Sequence, residues 1–157
     1  MVNLSVQKMT KENAAESLRW TYEPPYDFYN VELSEETLAE RLDGSYRSVL
    51  NQDGELIGFF CTGESAKVPA GEKDGVYEAD AVDMGLGMHP SLTGQGHGSL
   101  LGKTVLAEIQ KENEGKPVRL SVATFNKRAI RLYENMGFVT QASFHTGASP
   151  FITMVKK

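Results

Sequence analysis

Two periodicities of apolar residues along the chain predict short strands that alternate with helices. Apolar runs of strand length occupy residues 4–7, 46–50, 56–61, 76–88, 118–122, 138–146 and 151–155. Helical spacing predicts further segments over about 10–19, 34–42, 98–113 and 126–136, and in the third of these Leu101, Val105 and Ile109 recur every four residues. The predicted order is β-α-α-β-β-β-α-β-α-β-β, an α+β arrangement with α/β/α-type layers.

The connections between these elements carry their own signals. Asp53-Gly54 between two apolar runs predicts a hairpin. Residues 63–75 are polar and rich in glycine, which predicts an exposed, mobile connection. The long strand expected over 76–88 contains Gly85 and Gly87, which favour a bulge or a close backbone approach near its end.

The segment from residue 20 to residue 29 is unusual because five aromatic residues surround two prolines. Pro24 and Pro25 exclude a continuous helix here and predict a stiff, extended loop. Its rings either pin the loop to the core or form the wall of a binding site. The rings belong to Trp20, Tyr22, Tyr26, Phe28 and Tyr29.

Composition narrows the class of protein. With 157 residues, of which 40% are hydrophobic, the chain suits a single domain over 1–157. No apolar run approaches the roughly 20 residues of a membrane span, so a soluble, cytoplasmic protein is expected. Cys61 is the only cysteine, and its apolar neighbours indicate a buried rather than a reactive thiol. The net charge of −5 argues against nucleic acid as a partner and suits a cationic amine as a substrate. The three histidines are scattered along the sequence and give no metal-ligand spacing.

Three glycines at alternate positions, Gly94, Gly96 and Gly98, stand between the predicted central strand and the helix that follows. Glycine allows a ligand to approach the backbone closely, and the first N–H groups of a helix have no partner within it. Such a turn suits a pyrophosphate. The spacing excludes a dinucleotide fingerprint, because Ser99 or Leu101 falls where its third glycine belongs, and it also excludes a Walker A loop.

The remaining pattern is similar to that of a known family. Met88-x-Pro90 with Thr93-Gly94-Gln95-Gly96-His97-Gly98 resembles the acetyl-CoA loop of the GNAT N-acetyltransferases, Arg/Gln-x-x-Gly-x-Gly/Ala. Downstream, Asn126-x-x-Ala129-x-x-x-Tyr133-x-x-x-Gly137-Phe138 resembles the second cofactor motif of that family. The resemblance implies the GNAT fold, a mixed and mostly antiparallel sheet of six to seven strands with about four helices, whose strands splay at the cofactor site. Thr93 departs from the family pattern, which has Arg or Gln there.

The resemblance also implies which residues hold acetyl-CoA, a cosubstrate in this family. The backbone of Leu86, Gly87 and Met88 would bind the pantetheine arm and the thioester. The loop from Thr93 to Ser99 would bind the pyrophosphate, and the second motif would contribute Asn126, Ala129 and Tyr133. The loop residues are Thr93, Gly94, Gln95, Gly96, His97, Gly98 and Ser99.

Acetyl transfer to an amine needs a polarised thioester, a neutral nucleophile and a proton for the leaving thiolate. By resemblance, Tyr133 is the expected general acid, with core packing as its alternative role. Glu78, Asp80 and Asp83 are expected on the central strand, and Asp83 is the favoured general base because it stands closest to the expected thioester site. A structural carboxylate is the alternative. The expected acceptor-binding residues are Trp20, Tyr22, Tyr26, Tyr29 and Glu78.

The sequence therefore predicts an N-acetyltransferase that moves the acetyl group of acetyl-CoA directly to a primary amine on a small molecule or peptide. A non-catalytic acyl-CoA-binding or regulatory domain is the alternative. Neither a metal nor a membrane partner is expected, and the protein would be a monomer or a homodimer.

Overall fold

The computed structural model describes residues 3–157 and contains seven strands and five α-helices. The strands are β1 (Ser5–Lys8), β2 (Tyr46–Leu50), β3 (Leu56–Thr62), β4 (Val82–Met88), β5 (Val118–Ala123), β6 (Val139–His145) and β7 (Pro150–Lys156). The helices are α1 (Lys11–Leu18), α2 (Glu35–Arg41), α3 (Pro69–Lys73), α4 (His97–Glu112) and α5 (Lys127–Asn135). Short 3-10 helices cover Tyr26–Tyr29, Gly63–Ala66 and Pro90–Leu92.

The seven strands form one mixed sheet in the order β1-β2-β3-β4-β5-β7-β6. The pairs β1–β2, β2–β3, β5–β7 and β6–β7 are antiparallel. Strands β4 and β5 are parallel and pair over three positions, from Val82↔Val118 to Met84↔Leu120. The predicted α+β class, the mostly antiparallel mixed sheet and the element order are confirmed, and α3 is an additional short helix.

The chain forms two compact units, and the first contains residues 3–61 and Leu86–Val105. Side chains cap both helices of this unit that precede β2: the Thr10 hydroxyl accepts a hydrogen bond from the backbone N–H of Asn13, and Ser34 forms a capping box with Thr37. At the end of α2 the charged residue is more buried than the apolar residue that follows it. Leu42 is 40% exposed, whereas Arg41 is buried.

The predicted hairpin is confirmed in the same unit, where β2 and β3 pair on either side of Gly54, whose φ is +80°. Two glycines allow the end of β4 to lie very close to β3. A Cβ at Gly87 would lie 2.2 Å from the ring of Phe59, and a Cβ at Gly58 would lie 2.8 Å from the carbonyl oxygen of Gly87. The close backbone approach expected from Gly87 is therefore present.

The second unit contains Thr62–Gly85 and Leu106–Lys157. Its core includes Ala123, Phe144 and Phe151, with the two phenylalanine rings stacked 5.3 Å apart. The connection expected over residues 63–75 contains secondary structure, a 3-10 helix and α3, and the backbone N–H of Val68 donates to the Tyr77 hydroxyl over 3.0 Å. It is exposed only in part, and its mobility stays a prediction.

The long strand expected over residues 76–88 is also shorter than predicted. It begins at Val82, because the preceding residues form turns that fix Tyr77 in the interior, where its hydroxyl hydrogen-bonds Ser121 at 2.6 Å. Glu78 and Asp80 are exposed in the connecting loop rather than aligned on the strand. The single domain expected over 1–157 stays a prediction.

Candidate active site

The glycine-rich turn lies in the first unit and leads directly into α4. Gly94 and Gly96 have φ values of +73° and +83°, a backbone conformation that residues with a Cβ rarely adopt. Residues 94–97 are exposed, and the first turn of α4 contains no acidic residue. The turn therefore presents the positive end of a 16-residue helix without a neighbouring carboxylate in that turn.

Hydrogen bonds from the backbone and from side chains hold the segment from His89 to Gln95. The backbone N–H of His89 donates to the carbonyl of Ile57 at 2.8 Å, which ties the end of β4 to β3. The Nδ1 atom of His89 accepts from the backbone N–H of Ser91, so a neutral His89 carries its proton on Nε2. The Thr93 hydroxyl donates to the carbonyl of Pro90 at 2.9 Å, and Gln95 donates to the carbonyl of Ser91 at 2.7 Å.

Tyr22 contacts the end of β4 directly. Its hydroxyl donates a 2.8 Å hydrogen bond to the carbonyl oxygen of Met88. Burial raises the pKa of Tyr22 to about 12, and the positive charge of Arg41 opposes this rise only in part. The phenol is therefore protonated at neutral pH and acts as a donor to the strand backbone. Leu86, Gly87 and Met88 are themselves half-buried.

The aromatic segment is more compact than the extended loop expected from its prolines. Residues Tyr26–Tyr29 form a 3-10 helix, in which Tyr26 and Tyr29 are half-buried and Phe28 is exposed. Trp20 is buried, with its ring 5.9 Å from Phe59 and 5.1 Å from His89 between centroids. Its indole N–H is buried without a hydrogen-bond partner among residues 3–157.

Arg41 is a buried cation that sequence reasoning missed. Its guanidinium carbon lies 4.1 Å from the ring centre of Phe59 and 5.0 Å from that of Tyr46. The Nη1 atom is buried and has no hydrogen-bond partner in the described part of the chain. Burial lowers the pKa of Arg41, while Tyr46, Cys61, Glu40 and Tyr22 act in the opposite direction. An arginine at the end of an acidic helix is normally a surface residue, so the sequence gives no signal of this burial.

The second unit contains both predicted catalytic residues, Asp83 and Tyr133, and Asp83 has a strong partner there. Both of its oxygens accept hydrogen bonds from Arg119, each at 2.8 Å, and the two side chains are only 4% and 2% exposed. Arg119 also donates to the carbonyls of Ala79 and Tyr77. The hydrogen bond to Asp83 is the main cause that raises the pKa of Arg119. Arg119 was also missed, because its place in an alternating strand suggested an exposed side chain.

Helix α5 and its N-cap carry the residues of the second family motif that were predicted to contact the cofactor. The Asn126 side chain caps the helix by accepting a hydrogen bond from the backbone N–H of Ala129 at 3.1 Å. Tyr133 is 9% exposed, and its ring lies 5.9 Å from that of Phe138 in an edge-to-face arrangement. Glu78 is in the loop before β4 in this unit, whereas the four aromatic residues predicted to bind the acceptor belong to the first unit.

No group of three or more His, Cys, Asp or Glu side chains among residues 3–157 is arranged to hold a metal ion. Within the same residues, every helix is too short or too polar to cross a membrane.

Comparison with known proteins identifies the family. The model of the acetyltransferase (GNAT) family matches residues 11–138, which is most of the chain and includes both glycine-containing motifs. The chain belongs to the GNAT family. It is therefore related to acyltransferases, and the resemblance stated from the sequence is confirmed.

Individual GNAT proteins share its sequence or fold in part. The chain is 39% identical over 90 residues to a mycothiol acetyltransferase of Streptomyces coelicolor, a match that covers 57% of this chain and 25% of that protein. A GNAT acetyltransferase of Bacillus anthracis matches with a TM-score of 0.71 at 14% identity, over 97% of this chain and 93% of that one. The aminoglycoside acetyltransferase AAC(6')-Ib, solved with coenzyme A and kanamycin, gives a TM-score of 0.70 at 19% identity, with coverages of 99% and 95%.

Proposed function

We propose that this GNAT protein transfers the acetyl group of acetyl-CoA to a primary amine on a small molecule or peptide. The observation that carries the proposal is the exposed glycine turn at the start of α4, whose backbone donors suit a pyrophosphate. Coenzyme A bound to the structural relative AAC(6')-Ib supports the same cofactor class. The amines named for the relatives, kanamycin among them, support an amine as the acceptor class.

The reaction requires only the two substrates. The lone pair of the neutral amine attacks the thioester carbonyl, the carbon–sulfur bond breaks, and the thiolate leaves. One proton is lost from the amine nitrogen and one is gained by the sulfur, so atoms and charge balance. Backbone groups of Leu86, Gly87 and Met88 are the proposed partners of the thioester arm, and the hydroxyl of Tyr22 fixes this stretch through the Met88 carbonyl.

Tyr133 is the proposed proton donor to the thiolate, on the basis of its place in the second family motif. The role of Asp83 as general base stays a prediction. Its bidentate ion pair with Arg119 favours the alternative structural role, because both of its oxygens already accept hydrogen bonds from the guanidinium and the pair is nearly inaccessible to water. The residues proposed to line the acceptor side are Trp20, Tyr22, Tyr26, Tyr29 and Glu78.

The test is the release of free thiol from acetyl-CoA in the presence of a panel of amines, amino acids, peptides and polyamines. Amine-dependent thiol release, with the acetylated amine identified by mass spectrometry, is the expected result. Saturable binding of coenzyme A without amine-dependent release over the whole panel would instead support the acyl-CoA-binding or regulatory domain.

A further inference from the structure

The side chain of Arg41 has an unusual environment within the first unit. Two aromatic rings lie against its guanidinium, and Nη1 has no hydrogen-bond partner among the described residues. Glu40, the adjacent acid, instead accepts a hydrogen bond from the Tyr46 hydroxyl at 3.4 Å. Arg41 is 9% exposed, so the cation is largely removed from water, and no carboxylate in the described part of the chain forms an ion pair with it.

Such an arrangement is unfavourable for the folded chain on its own. A buried guanidinium stays protonated even when its pKa is lowered, and contact with ring faces replaces only part of the hydration that it loses. Buried charges in proteins are normally paired and hydrogen-bonded. The unpaired Nη1 donor of Arg41 therefore indicates that an anion supplied by a ligand completes the site.

The position of Arg41 relates this anion to the acceptor. The ring of Phe59 contacts the Arg41 guanidinium and also lies against Gly87 on β4. Tyr22, which influences Arg41 electrostatically, donates its hydrogen bond to Met88 on the same strand. One aromatic side chain thus separates Arg41 from the backbone stretch proposed to bind the thioester, a separation that a small molecule could span.

We propose that Arg41 binds the carboxylate of an acceptor that carries both a primary amine and a carboxylate, as amino acids do. This inference rests on the proposed acetyltransferase function. A planar carboxylate matches the edge of a guanidinium whose faces are covered by rings. A single negative charge offsets one guanidinium, whereas a phosphate dianion would leave excess negative charge beside Glu40.

A binding titration tests the anion site without relying on turnover. Trp20 is the only tryptophan of the chain, and its ring lies 5.9 Å from Phe59, the ring that also contacts Arg41. We expect benzoate to change Trp20 fluorescence saturably and benzamide to bind at least tenfold more weakly. Arg41→Met should lower the affinity for benzoate at least tenfold. Arg19→Met removes the same charge from an exposed position and should leave that affinity unchanged.

The variants also separate loss of binding from loss of folding. Arg41→Met should melt no lower than the parent protein without ligand, because it removes an unpaired buried charge. If Arg41→Met fails to fold, Arg41→Lys is the second variant. It keeps the positive charge but lacks the two parallel N–H donors of a guanidinium, so it should still weaken the binding of benzoate. Equal binding of benzoate and benzamide, unchanged binding by the Arg41 variants, or preference for phenylphosphonate over benzoate would each overturn the proposal.

Turnover with matched acceptors then connects the anion site to the reaction. Phenylalanine should be acetylated at least tenfold more efficiently than phenylalaninamide or phenethylamine, and Arg41→Met should remove that preference. Turnover of all three without preference refutes the carboxylate site and leaves the proposed function intact. Absence of turnover with every amine refutes the proposed function, and the benzoate titration still decides the anion site.

Discussion

Replacing Asp83 by asparagine separates a structural carboxylate from a catalytic base. The substitution keeps the size of the side chain and one carbonyl oxygen, but it removes the negative charge that faces Arg119 across two 2.8 Å contacts. Both side chains are nearly inaccessible to water, so water cannot replace the lost charge. Removing one partner of a buried ion pair typically costs about 3–5 kcal/mol.

The remaining contacts of Arg119 place the expected loss near the lower end of that range. Arg119 keeps its hydrogen bonds to the carbonyls of Ala79 and Tyr77, and its guanidinium still lies 5.1 Å from the Tyr77 ring. We therefore expect the free energy of unfolding to fall by about 3 kcal/mol. For a chain of this length the corresponding fall in melting temperature is roughly 6–12 °C.

Urea unfolding followed by circular dichroism measures this loss, and Asp80→Asn is the matched control. Asp80 lies three positions earlier, its side chain is 83% exposed, and its ion pair with Lys116 spans 3.6 Å, so its loss should cost less than about 1 kcal/mol. Adding Arg119→Met to Asp83→Asn should restore part of the stability by removing the unpaired cation. If Asp83→Asn unfolds like Asp80→Asn while kcat collapses, the structural interpretation is wrong and Asp83 is the base.

Three further predictions concern the cofactor, the proton donor and alkaline pH. Calorimetry should show that Gly96→Asp binds coenzyme A about tenfold more weakly than Gly96→Asn. Both side chains tolerate a positive φ, but a carboxylate about 5 Å from two phosphate charges costs roughly 1.5 kcal/mol in water. Equal affinities of the two variants would place the pyrophosphate elsewhere. Tyr133→Phe should lower kcat, and an unchanged kcat across the pH range would refute its role as proton donor. Because burial raises the pKa of Tyr22 to about 12 from 10.0 in the unfolded chain, its contribution to stability is complete below pH 10 and is lost as the pH rises towards 12. The Tyr22→Phe variant lacks this titrating group. Between pH 10 and pH 12 its free energy of unfolding should therefore fall by up to about 2 kcal/mol less than that of the parent protein, as measured by denaturant titration.

Elements with a repeating or local signal could be predicted from the sequence. The four-residue spacing of Leu101, Val105 and Ile109 identified α4, and all three side chains are buried. The cap that Ser34 forms on α2 is equally local, because it depends only on residues within one turn. The glycine turn likewise depends on local backbone freedom, so its position followed from three alternating glycines.

Features that depend on distant contacts could not be predicted in this way. Tyr77 was expected on a strand because its neighbours are apolar, but hydrogen bonds with Val68 and Ser121 fix it in a turn. Arg119 had the polar character of a surface residue, and only its pairing with Asp83 accounts for its burial. Arg41 was missed for the same reason, since the rings that cover it come from strands elsewhere in the sequence.

The ring of Phe59 limits how this protein can change by mutation. A side chain at position 87 would collide with that ring at 2.2 Å, and the same ring lies against Arg41. Positions 59 and 87 are therefore expected to covary among relatives, with a residue larger than glycine at 87 only where 59 is small. A substitution that shrinks residue 59 would also uncover the guanidinium, so changes in acceptor preference and changes in the β4 backbone would tend to arise together. In laboratory evolution of a new acceptor specificity, position 59 is accordingly the place to diversify first.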